Sequence, residues 1–108
     1  MRANPRYLAV TIPSSTPVNL WTLLRAIDAD TPRVAEYMQL EVDSAAMAAL
    51  IYIGNSDLDI ATDVWGVKLQ AGQAHEIQGM ASNLIQLDQI FLATDGADVL
   101  VGVAIITR

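Results

Sequence analysis

The chain has 108 residues, of which 53% are hydrophobic and 17% charged, with no cysteine and a formal net charge of -6. That length suits one domain, read here as residues 1–108 with a core of its own. The lack of cysteine excludes disulfides and thiolate metal sites. The basic residues Arg2, Arg6, Arg25, Arg33, Lys68 and Arg108 form no run, which argues against a nucleic-acid surface.

No apolar run reaches the roughly 18 residues needed to span a bilayer, so no membrane partner is expected. Residues 1–6 carry two arginines, but no apolar stretch long enough for a signal peptide follows before Pro13. They read as a flexible arm. Apolar surface in excess of a small core is expected to serve a subunit contact.

Tyr7, Leu8, Val10, Thr11 and Ile12 predict a first strand over 7–12, ended by Pro13. Thr16 followed by Pro17 reads as a helix cap with proline at the first helical position. Leu20, Leu23, Leu24 and Ile27 then share one helical face, predicting a short helix over 17–27. A second strand is expected over 34–42. Asp43, Ser44, Ala45 and Ala46 make a connection, and Met47 to Leu50 lead into a buried strand at Ile51, Tyr52 and Ile53 that stops at Gly54. Residues 55–63 form a polar loop. Val67 to Leu69 is a short strand, and Ala71-Gly72 a turn after which His75, Glu76 and Ile77 pair back. Another loop covers 79–83. A long strand is expected over 87–94, with Ile90 and Leu92 on one face and Phe91 on the other. Asp95-Gly96 is a strong hairpin signal. The final strand, 99–107, is apolar on both faces, which fits a central or interface position. Short apolar runs separated by Gly, Asn and Asp therefore predict a mainly β fold: an antiparallel sandwich with one short helix near the N-terminus.

Little in the chain supports catalysis. His75 is the only histidine; a base needs a nucleophile and an orienting acid close by. Glu76, next to it in a strand, points to the opposite face. Ser56 and Ser82 fall in loops. Asn55, Asp57 and Asp59 alternate like the start of a calcium loop. The EF-hand pattern then wants glycine and, at the twelfth position, glutamate, where this chain has Ile60 and Gly66. Asp63, Asp95 and Asp98, like the other loop carboxylates, are accounted for by turn chemistry. No cofactor, metal site or catalytic residue is expected, and the chain is read as no enzyme. Trp65 beside Gly66 reads as a ring folded over one end of the fold; an interface anchor and a sugar platform are the alternatives. The candidate interface residues are Tyr7, Trp65, Val99, Val101 and Val103.

Three segments, in order, carry a family resemblance. They are Tyr52-Ile53-Gly54-Asn55-Ser56-Asp57, then Gly66-Val67-Lys68-Leu69-Gln70-Ala71-Gly72, then Leu87-Asp88-Gln89-Ile90-Phe91-Leu92-Ala93 with the closing Val99-Leu100-Val101. Together they resemble small β-sandwich structural proteins of tailed bacteriophage virions, over roughly the second half of the chain. The resemblance implies a jelly-roll-like sandwich and a virion location after synthesis in the host cytoplasm. It further implies a capsid cement or decoration role, with the major capsid protein as partner and a homo-oligomer, a trimer favoured. A head-fibre base or a neck or tail adaptor is the alternative within that class. A carbohydrate-binding module using Trp65 and the acidic loop is the alternative outside it.

Overall fold

Period-two alternation makes the first strand, β1 (Asn4–Ile12), in which Val10 and Ile12 are buried while Tyr7, Ala9 and Thr11 face solvent. The computed structural model describes residues 4–13, 16–43, 50–79, 84–96 and 98–107. The strand begins three residues before its expected start, so half of the expected arm is strand instead. Pro5 pairs with Ile106 and Arg6 with Ile105. The Arg6 guanidinium meets the Asp28 carboxylate at 2.6 Å. Pro5 is tolerated because β1 is an edge strand, where a missing N–H costs no ladder bond. Residues 1–3 of the arm lie outside the described residues.

The remaining elements are β2 (Val18–Asn19), α1 (Leu20–Ile27), β3 (Val34–Ala35), β4 (Tyr37–Val42), β5 (Ile51–Gly54), β6 (Val67–Leu69), β7 (Ala74–Gln78), β8 (Ile85–Gln86), β9 (Phe91–Thr94) and β10 (Val99–Thr107). The first sheet has the order β1-β10-β4-β7 and the second β2-β9-β5-β6, with β3 and β8 as a separate pair. Every ladder is antiparallel. The fold is therefore mainly β with one helix among the described residues, as expected, and neither sheet closes into a barrel. Inward side chains of both sheets meet in one core: Val10, Met38, Leu40, Val101 and Ile105 from the first, Ile51, Ile53, Leu69 and Leu92 from the second. Leu20 and Leu24 of α1 close it.

Consecutive strands mostly change sheet, and this overturns two expected hairpins. Asp95-Gly96 joins β9 of the second sheet to β10 of the first. The Asp95 carboxylate accepts the Leu50 N–H at 2.9 Å, and Gly96 N–H reaches the Thr94 hydroxyl at 3.3 Å. The turn caps the start of β5 and leaves its flanking strands to different neighbours. Likewise β7 does not pair back on β6; it pairs with β4, Leu40 opposite His75. Gly72, at φ +81°, supplies the left-handed residue that carries the chain across. Its N–H donates to Val42 O, and Val42 N–H to Gln73 O, both at 2.9 Å.

Local signals also yield to pairing at three element ends. The helix is capped by Asn19 rather than Thr16: the Asn19 side-chain oxygen accepts the Thr22 N–H at 3.1 Å while its amide donates to Asp88 O at 2.7 Å. Asparagine caps as well as threonine, and the later start frees Val18 to pair with Leu92. Ile27 of the expected stripe is 55% exposed, because the last turn, with Arg25 and Ala26, buries nothing. The expected strand 34–42 breaks at Glu36, whose N–H donates to Ile106 O while its carbonyl accepts the Gly79 N–H. The strand expected from 87 starts at Phe91; Leu87–Gln89 form a 3-10 turn. Leu87 N–H donates to Arg33 O at 2.8 Å, and Arg33 meets the Asp88 carboxylate at 3.6 Å. The alanine-rich connection 44–49 and residues 80–83 of the expected loop lie outside the described residues.

Candidate functional site

The two sheets differ in what covers their outer faces. Over the second sheet lies the segment 55–66, which joins β5 to β6. Leu58, 5% exposed, packs on Tyr52 and Ala93, with Leu50, Ile60 and Phe91 around them. The approach is close at Gly54: a Cβ there would stand 3.2 Å from Leu58 Cδ1, so glycine lets the segment lie flat. The side chains of Asn55 and Asp59 accept the N–H groups of Asp57 and Ala61, at 2.9 and 3.0 Å. Two of the three side chains of the calcium-like alternation, Asn55 and Asp59, thus serve turns. Asp63 takes the left-handed conformation at φ 61°, which short polar side chains tolerate. Among the described residues no three His, Asp or Glu side chains group to hold a metal.

Trp65 closes this cover. Its ring meets Tyr52 edge-on, centroids 5.5 Å apart, and Lys68 sits 5.4 Å over it. At 37% exposed, much of the ring is spent on its neighbours. Next to the cover an open cavity of about 660 Å³ is lined by Pro17, Leu58 and Ile60 with Asp57, Asp59 and Asp95. The Tyr52 phenol donates toward Asp95 at 3.4 Å. Burial first, then the Asp95 and Asp63 charges, push its pKa above the ordinary phenol value. Unfolding releases this tyrosine to ionise near about pH 10, so the unfolded state then holds fewer protons. Stability is full below that pH and falls as pH rises toward the folded pKa. We expect Tyr52→Phe to flatten the decline of melting temperature above about pH 10. An unchanged slope would show that the decline originates elsewhere, with Tyr37, also raised by burial and Glu76, as the other source.

Among the described residues nothing comparable covers the first sheet. Its outward residues fall in register as Pro5, Ile106, Tyr37 and Gln78; then Tyr7, Ala104, Gln39 and Glu76; then Ala9, Gly102, Glu41 and Ala74. Tyr7 is 78% and Leu100 45% exposed. Tyr7 stands on one side of a shallow groove of about 270 Å³, with Gln39 and Glu41 on the other and Gly102 and Ala104 as its floor.

The expected interface residues therefore separate. Tyr7 is on the bare face and Trp65 on the cover of the opposite sheet. Val99, Val101 and Val103 are buried at 2%, 0% and 2%, so they are core and cannot meet a partner. The strand is central and alternates, and its other face offers Leu100, Gly102 and Ala104. Bulky β-branched residues at 99, 101, 103 and 105 against Gly102 and Ala104 were the sequence signal for that split. His75 is half-buried on β7 while Glu76 is exposed, so alternation places them on opposite faces.

The described residues define an antiparallel β protein with two four-stranded sheets, the outer face of one covered and that of the other bare. No protein-family model and no curated protein matches the chain. Among solved structures it is similar to the virus-like particle of the giant freshwater prawn Macrobrachium rosenbergii extra small virus. That match has 9% identity over 98% of this chain and 79% of that one, and a TM-score of 0.41. A likeness of that size carries no argument about function. Among the described residues no helix is long and apolar enough to cross a membrane.

Proposed function

We propose that this chain is a non-enzymatic virion structural protein, a capsid cement or decoration subunit built as a jelly-roll sandwich. The observation that carries the reading is the strand order. Leaving aside the small β3–β8 pair, eight strands among the described residues fall into two four-stranded sheets, and the first and last of them lie side by side in one sheet. That interleaved arrangement is the double Greek key of jelly rolls, an architecture used by viral capsid domains and also by lectins and cupins. Among these, the virion resemblance in 52–57, 66–72, 87–93 and 99–101 favours the capsid reading. The partner is the major capsid protein of the same virion. Bridging several shell subunits stabilises the shell by linkage, because the protein binds the assembled state in preference to the separated one. The net charge of -6 suits a basic patch on that shell.

The test is sedimentation of the purified chain with capsids of the source virus. Saturable co-sedimentation with a raised capsid melting temperature is expected. A chain that stays in the supernatant with both unexpanded and expanded capsids would overturn the shell assignment.

A further inference from the structure

We propose that the bare outer face of the first sheet is a self-complementary contact, through which two copies of this chain pair face to face. Each Tyr7 enters the other copy's groove over Gly102 and Ala104. The inference extends the assembly reading, but it concerns the chain in free solution, so either can fail alone.

Size comes first. Four strands about 4.8 Å apart, β1 and β10 of nine residues with the shorter β4 and β7 beside them, make a face of at most roughly 19 by 30 Å. With side-chain relief, that approaches the ~800 Å² per partner of a stable complex. Charge is the second. The β1 and β10 half, from Pro5 and Tyr7 to Leu100 and Ile106, carries no ionisable group except the Tyr7 phenol, in a chain of net charge -6. Glu41 and Glu76 lie on β4 and β7, so pairing through β1 and β10 keeps the glutamates of two copies toward the rim. Third, knob and groove sit on one face. Tyr7 projects at 78% exposed beside a floor whose side chains are a hydrogen and a methyl group. A patch holding both halves of a contact gives an isologous interface. Last, the chemistry matches: the Tyr7 phenol is a donor, and the groove wall offers the Gln39 side-chain carbonyl as acceptor. An aromatic anchor seated in a pocket is the usual dominant residue of such contacts. A two-fold pair follows, in place of the trimer that the resemblance implies.

Gly102→Arg is the decisive variant. A Cβ at Gly102 would come no nearer than 3.9 Å to any neighbour, Glu41 O, so the substitution fills the groove without disturbing the strand. Sedimentation equilibrium of the native chain is expected to show twice the 11.6 kDa chain mass. Gly102→Arg is expected to be monomeric with an unchanged circular dichroism spectrum. Tyr7→Ala should weaken association about 30-fold, and Trp65→Ala, on the other sheet's cover, should leave it unchanged. A native chain that is monomeric at every concentration would overturn the proposal. So would an oligomer that Gly102→Arg leaves intact. Shell binding by the monomeric variant would leave the capsid reading standing.

Discussion

Val101→Asp is expected to abolish the folded state, whereas Leu100→Asp, one residue earlier, is expected to leave it almost unchanged. Val101 is fully buried at the centre of β10, opposite Val10 on β1 and Val42 on β4, which are 2% and 1% exposed. A carboxylate there has only aliphatic neighbours across both ladders. An unpaired buried charge of this kind costs at least about 4 kcal/mol, against a total stability of about 5–15 kcal/mol for a small domain. Leu100 is 45% exposed and faces outward beside Thr11. Its replacement gives up some strand propensity and stays within about 1 kcal/mol. Urea unfolding of the two variants, at a dilution that keeps the chain monomeric, measures both. Equal losses would mean that the facing of β10 is misassigned.

Leu24→Ala carries the second large effect. An eight-residue helix has no independent stability in water, so α1 persists only because Leu20 and Leu24, both fully buried, peg it into the core. Removing the Leu24 side chain leaves a cavity and costs about 2–5 kcal/mol. For a domain of this size that lowers the melting temperature by more than about 10 °C. Ile27→Ala, at the exposed end of the same expected stripe, should cost less than about 0.5 kcal/mol. Thermal melts of the pair decide the point. Trp21 offers a local probe, since its indole N–H donates to Thr31 O at 3.1 Å and Arg25 stacks 4.6 Å over its ring. A large loss in Ile27→Ala would place that residue against the core after all.

Both pairs of variants probe places where the sequence pattern ran out. Leu20, Leu23, Leu24 and Ile27 share the helical period, but the period has no term for where the protein ends. Val99 to Ile106 reads as apolar on both faces, and it took the pairing with β1 and β4 to show that one face is core and the other open. Asp95-Gly96 has the composition of a hairpin turn, yet its flanking strands join different sheets. The Tyr7 groove had no signature beyond the small residues Gly102 and Ala104, because its two walls come from β1 and β4, far apart in the chain.

From the residues alone follow the mainly β class, the buried strand at Ile51 to Ile53, the short strand at Val67 to Leu69 and the existence of the helix. Each of these rests on local chemistry: alternation, β-branched runs, and the turn residues that interrupt them. Which strands are neighbours, where the helix is capped and which side of β10 faces out depend on contacts such as Asn4 with Thr107 and Asn19 with Asp88. Those contacts join residues from opposite ends of the chain, so the burial and hydrogen bonding that select them exist only once the two sheets have met.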